Sequence, residues 1–150
     1  YLDEKVDIIF LLQPTSPLRE KYLIDNALKL INQNSNWSSL IEVYKSKLFT
    51  GKIKNNYWYP DLLEKTRSQE IPASYVPSGR LYAYNCIKTI RLNDAYGKKV
   101  IPMITDEWKN VNIDESSDLE KMRYVYDNHS KDYSNLEKYK HLKPPPIISP

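Results

Sequence analysis

The chain opens on a segment, residues 6–12, that is apolar apart from Asp7 and then switches abruptly to Gln13-Pro14-Thr15-Ser16-Pro17. Little polar alternation across seven positions predicts a strand covered on both faces, as inside a parallel sheet. Two prolines cannot continue it, so the backbone must turn out at its carboxyl end. Residues 20–34 follow with Leu23, Ala27, Leu28 and Ile31 at helical spacing, then a run of Asn, Gln and Ser that ends the helix. Residues 39–44, SLIEVY, read as the next strand. Strand, helix, strand with short links predicts a right-handed parallel crossover.

Beyond residue 45 the pattern changes. Asn55-Asn56 separates two short β-prone pieces, which predicts a hairpin because asparagine tolerates the left-handed backbone of a tight turn. Tyr57, Trp58 and Tyr59 follow it. They are expected to pack on the parent sheet or on a second subunit, or to cover a sheet edge. A short helical piece at residues 61–69, a strand at 79–84 and a short helix at 86–92 come next. The strand at 99–104 carries Pro102, which places it at an edge or a bulge. Residues 111–114 read as extended. A last helix is capped by Ser116 or Ser117 and buries Leu119, Met122, Val125 and Tyr126. The expected organisation is one domain over residues 1–128, with an inserted arm at about 45–77 and a polar, proline-rich tail at 129–150. Its class is α/β: a mostly parallel sheet with a protruding hairpin.

Composition changes this picture only by exclusion. The 150 residues are 41% hydrophobic and 27% charged, ordinary for a soluble domain with a real core. A net charge of +3 without a Lys/Arg stripe argues against nucleic acid. No apolar run approaches a membrane span of about 20 residues, and no secretory signal is visible. The single cysteine, Cys86, allows no internal disulfide and reads as a small buried side chain, fitting a reducing, cytoplasmic setting. Thirteen tyrosines stand against two phenylalanines, which suits clefts and subunit contacts or reflects an AT-rich coding sequence. The three glycines, Gly51, Gly79 and Gly97, are too scattered for a loop that cradles phosphate.

Several residues have the chemistry of a site. Gln13 offers a donor and an acceptor at a strand exit, where open α/β sheets hold ligands. Ser16 before Pro17 is a helix-start signal. Asn112 and Asp114 alternate along an extended segment and so share one face, where two oxygens could meet a hard cation such as Mg²⁺. The same pattern also fits a cap or turn, with Asp118 at the helix start meeting the dipole. Arg67 has the planar fork that suits a carboxylate, or is a solvated surface arginine. Tyr82 is a ligand hydroxyl or a half-buried sheet tyrosine.

Four segments carry a family resemblance, in order. LLQPTSPLR (residues 11–19) resembles the signature segment of the CMP-acylneuraminate (sialic acid) synthetases and their cytidylyltransferase relatives. TRSQEIP (66–72) resembles their Thr-Arg-Arg-Gln-x-x-Pro, with Ser68 for the second arginine. PSGRLYAY (77–84) resembles Pro-Asn-Gly-Ala-Ile-Tyr-Ile, with Ser78 for asparagine and Arg80 for alanine. NVNIDESSDL (110–119) resembles Asp-Ile-Asp-Thr-x-x-Asp-Leu, with Asn112 where the first aspartate stands. The resemblance implies a three-layer, Rossmann-like nucleotidyltransferase sandwich that dimerises through the arm. It also implies that the family's N-terminal nucleotide-binding section precedes residue 1, and that residues 1–150 alone are inactive. The implied activity joins CMP from CTP to a nine-carbon keto sugar acid, with Mg²⁺ as cofactor. Gln13 and Tyr82 would orient the sugar, and Arg67 and Lys47 (Lys45 being a rival) its carboxylate. Asp114 and Asn112 would hold the metal, with Asp114 and Arg67 as the catalytic pair. A non-catalytic relative that only dimerises or binds a sugar acid is the alternative, on the strength of Asn112 and Ser68. By strand alternation, Arg80 would share the face of Tyr82 and narrow the sugar pocket.

Overall fold

A computed structural model describes residues 5–61, 70–89 and 93–129. In chain order the elements are β1 (Ile8–Leu11), α1 (Leu23–Asn32), β2 (Ser39–Ser46), β3 (Gly51–Lys54), β4 (Tyr57–Pro60), β5 (Ser74–Asn85), β6 (Val100–Thr105), a 3₁₀ turn (Glu107–Lys109) and α2 (Ser116–Asn128). Four strands form one sheet in the order β1-β5-β2-β6, and β3-β4 form a separate ribbon. Strand β5 runs antiparallel to both β1 and β2, and β6 runs parallel to β2. Strands β1, β2 and β6 therefore point the same way, with β5 alone reversed.

The crossover from β1 through α1 to β2 exists, but it skips a position that β5 fills. Leu23, Ala27 and Ile31 of α1 bury against Leu40, Leu81 and Ala83, with Ile8, Phe10, Ile101 and Met103 packed alongside. Trp37, just before β2, closes this cluster. Three of the four stripe positions read from the sequence thus pack, with Leu30 joining them in place of Leu28, and the helix itself starts at Leu23, not at residue 20.

Strand β1 departs from expectation. It is an edge strand of the described sheet, and Ile9 and Leu11 are exposed while Ile8 and Phe10 face α1. An all-apolar run does not require two covered faces: here one face packs and the other joins an open apolar surface with Tyr84. The proline signal in β6 holds, since Pro102 lies on the other edge strand.

The hairpin forms as read. Lys54 pairs with Tyr57, and Asn55 and Asn56 have φ of 50° and 65°, the two left-handed residues of a tight hairpin turn. Tyr57, Trp58 and Tyr59 are all exposed; Trp58 meets Phe49 edge-on at 5.3 Å between centroids. Residues 45–46 and 74–77 belong to the main sheet, where Lys45 pairs with Tyr75 and Val43 with Pro77. Residues 86–89 make hydrogen-bonded turns, with Thr89 N–H donating to Asn85 O at 3.0 Å, and residues 90–92 of the expected helix lie outside the described residues. Helix α2 is entered from Glu115, which takes the N-cap position expected of Ser116 or Ser117, and the Asp118 carboxylate reaches back to accept the main-chain N–H groups of Asp114 (3.2 Å) and Glu115 (3.0 Å). Met122, Val125 and Tyr126 of α2 pack on Leu18 and Val111. That contact brings residues 111–114 beside the loop that leaves β1.

Candidate functional site

The site grows from an irregularity in β5. Strand β2 pairs Ile41 with Tyr82 and Val43 with Pro77, so residues 78–81 of β5 stand opposite the single residue Glu42. A bulge of this size bends the strand and re-aims its side chains. Gly79 occupies it at φ +76°, a conformation that disfavours any side chain. It is also crowded. A Cβ placed there would lie 2.6 Å from Gln13 Oε1, 2.9 Å from Ser16 Oγ and 3.2 Å from Asn112 Oδ1. Three polar side chains from segments up to 99 residues apart, counted from 13 to 112, thus converge over one glycine.

The convergence is held by hydrogen bonds. Ser16 N–H donates to Gln13 O at 3.1 Å, closing a turn, and Ile113 N–H donates to Thr15 O at 2.7 Å, stitching the last segment to the loop. The Ser16 hydroxyl, expected to cap a helix, instead donates to Asn112 Oδ1. Helix α1 begins too far downstream to need that cap.

Under the bulge lies a charged cluster that the sequence reading did not anticipate. Arg80 is fully buried, and so is Glu42. Their side chains pair at 3.2 Å, and Arg80 also pairs with Glu20. Arg80 Nε donates to Leu18 O at 2.8 Å, and the Ser78 hydroxyl donates to the second oxygen of Glu42 at 2.6 Å. Lys109 reaches Glu20 at 2.9 Å. Arg80 therefore does not narrow a pocket beside Tyr82; the bulge breaks the alternation on which that expectation rested. Burial raises the Glu42 carboxyl above the ordinary glutamate range, even with Arg80 and Ser78 acting against it. Burial pushes Glu20 the same way, yet the hydrogen bond from Lys109 and the charge of Arg80 hold it below that range. The signal for the cluster was present: a glutamate inside SLIEVY and an arginine inside GRLYAY are charges in otherwise apolar strands.

The remaining expected residues are scattered. Tyr82 is buried with Ile41 and Val43 and stacks on Tyr84 (6.4 Å between centroids, 2° between planes). It lies level with Leu11, two residues short of Gln13. Its hydroxyl is pushed up by burial and by nearby Tyr96. Lys47 is exposed just past the end of β2. At about 3.3 Å per residue it stands roughly 16 Å along the chain from Glu42, the residue facing the bulge. Asp114 is exposed, two positions on from Asn112. Arg67 and Ser68 lie outside the described residues.

The donor set decides what a metal would find. Asn112 Oδ1 is engaged by Ser16, and among the described residues no group of three His, Cys, Asp or Glu is placed to hold an ion. Asp114 offers one exposed carboxylate. That fits a magnesium ion carried mainly by phosphates and water with a single anionic protein contact, and does not fit a cage built by the protein.

Among the described residues, no helix is long and apolar enough to cross a membrane. No protein-family model and no curated protein matches the sequence. Among solved structures, the chain is similar to 4-diphosphocytidyl-2C-methyl-D-erythritol synthase from Anaerococcus prevotii. Identity is 17% and the TM-score 0.50, over 83% of this chain and 61% of that one. The α/β fold is therefore one found in that synthase, and the chain spans about 61% of its length.

Proposed function

We propose that this protein belongs to a cytidylyltransferase that transfers CMP from CTP to the anomeric hydroxyl of an acylneuraminate-type keto sugar acid. The observation that carries the reading is the meeting of Gln13, Ser16 and Asn112 over Gly79. Three of the four segments that resemble the sialic acid synthetases supply these residues. The fold shared with a cytidylyltransferase supports it further.

In this reading the sugar hydroxyl gives up its proton to solvent and bonds to the α-phosphorus of CTP. The bond from that phosphorus to the bridging oxygen breaks, and pyrophosphate leaves. The protein's work is placement and charge neutralisation. Gln13 orients the acceptor, with Tyr82 further along β5. Arg67 and Lys47 meet the acceptor's carboxylate from the arm, and a homodimer brings the arm to the neighbouring site. Asp114 and Asn112 would hold the magnesium ion, which would supply neutralisation of phosphate charge. The reaction takes place in the cytoplasm.

The engagement of Asn112 by Ser16 favours a second reading, a sugar-acid-binding relative without turnover. One experiment separates the two: pyrophosphate release with CTP, Mg²⁺ and either N-acetylneuraminate or 3-deoxy-manno-octulosonate, on the full-length protein and on its Asn112→Asp variant. Release that reaches half-maximum at lower Mg²⁺ in the variant supports the transferase. No release, with calorimetric binding of a sugar acid, supports the binding module. Neither release nor binding removes both.

A further inference from the structure

Gln13 sits on the connection between β1 and α1, whose own turn holds its carbonyl through Ser16 N–H but does not tie it to β5. The side chain that makes that tie is Arg19, further along the same connection. Its Nη2 donates to Gln13 O, and its Nε donates to Arg80 O at 3.1 Å. One guanidinium thus ties the residue that faces the acceptor to the bulge that carries Gly79. Arg80 returns the contact from the other side, its Nε donating to Leu18 O at 2.8 Å. Each arginine holds the main chain next to the other.

Such a clasp suits arginine and no other side chain. Nε and Nη2 donate from one rigid edge, so two carbonyls are fixed relative to each other; a lysine ammonium is a single point and cannot set that spacing. Two neighbouring guanidinium groups repel, and the clasp closes only because Glu42 and Glu20 lie against Arg80.

We propose that Arg19 is a positioning residue that sets Gln13 against Gly79 and so governs the acceptor side of the site, with Arg80 as its buried counterpart. The proposal rests on the reading of Gln13 as the residue facing the acceptor.

The test uses Arg19→Met and Arg19→Lys, because Arg19 is only half-buried and Lys keeps the charge and the aliphatic stem. The first readout needs no activity: amide hydrogen exchange at Ser16 and Ile113, which donate to Gln13 O and Thr15 O. Both variants should exchange there about tenfold faster, the scale of one lost charge-assisted hydrogen bond, while β5 amides keep their wild-type rates. Unchanged exchange at Ser16 and Ile113, or equal acceleration throughout β5, overturns the proposal. The second readout is the KM for the sugar acid, expected to rise about tenfold while the KM for CTP stays put. If both KM values rise together, Arg19 does not act on the acceptor side and the proposal fails. If the full-length wild type turns over no acceptor, the proposed function falls, and the exchange measurement still decides whether Arg19 holds the loop.

Discussion

Gly79→Ala perturbs the structure at one atom and should be felt in two ways. The first is conformational: at φ +76° an alanine pays the left-handed penalty of about 1–2 kcal/mol. For a chain of this size that lowers Tm by roughly 2–8 °C. The second is local. The new methyl group lies 2.6 Å from Gln13 Oε1 and 2.9 Å from Ser16 Oγ, so both must move, and Asn112 loses its hydroxyl partner or follows it. The side-chain end of Gln13 can swing away cheaply, so the clash adds little to the stability loss but removes the arrangement over the glycine. Gly97→Ala is the control. It too has a left-handed backbone, φ +71°, and the atoms nearest its Cβ would be those of Ser38, at 2.3 Å, and Lys88, not Gln13, Ser16 or Asn112. Differential scanning calorimetry should show both variants destabilised. Titration with sugar acid should show weakened binding, or a raised KM, for Gly79→Ala alone. Equal loss of binding in the two variants would refute the reasoning, because the effect would then follow stability and not the site. An unshifted Tm for Gly79→Ala would refute the backbone conformation itself.

Three further outcomes are expected. Arg80→Met keeps the side-chain volume but strands Glu42 without its ion partner, which should cost about 3–5 kcal/mol in urea unfolding; adding Glu42→Leu should recover part of that loss, and an additive double mutant would show that the two side chains are not coupled. Glu20 and Glu42 should titrate on opposite sides of the ordinary glutamate value in a carboxyl ¹³C NMR titration, and one shared midpoint would contradict the cluster. For stability the signs are opposite: the lowered group, Glu20, stabilises above its unfolded pKa and loses that contribution as pH falls through its folded value, whereas the raised group, Glu42, stabilises below its unfolded pKa and loses its contribution as pH rises through its folded value. In the hairpin, Asn56→Gly relieves a left-handed asparagine at the expense of a freer unfolded chain, and the relief should prevail so that Tm rises; a fall in Tm would mean that the Asn56 side chain holds the turn.

What the sequence made legible was local. Helix α1 declared itself through Leu23, Ala27 and Ile31, because a 3.6-residue stripe is a property of neighbouring residues. The Asn55-Asn56 turn was readable for the same reason, since its backbone needs residues that tolerate positive φ. What stayed hidden was set between distant segments. The run ending in Leu11-Leu12 says that a strand is apolar, not how many of its faces are covered, so its place at an edge of the described sheet could not be read. The insertion of β5 between β1 and β2 is likewise a pairing choice with no local mark. Arg80 and Glu42 show the limit most clearly. A charged residue in a strand ordinarily means a solvent-facing position, and only the bulge at residues 78–81 turns this arginine inward onto its glutamate. The same bulge explains why the site was partly legible. Gly79, Gln13 and Asn112 each stood in a segment with recognisable chemistry, but the bond from Ser16 to Asn112 could not be foreseen, because Ser16 reads as a cap until the helix it would cap is seen to start at Leu23. A serine freed from capping became the partner that now occupies the asparagine oxygen.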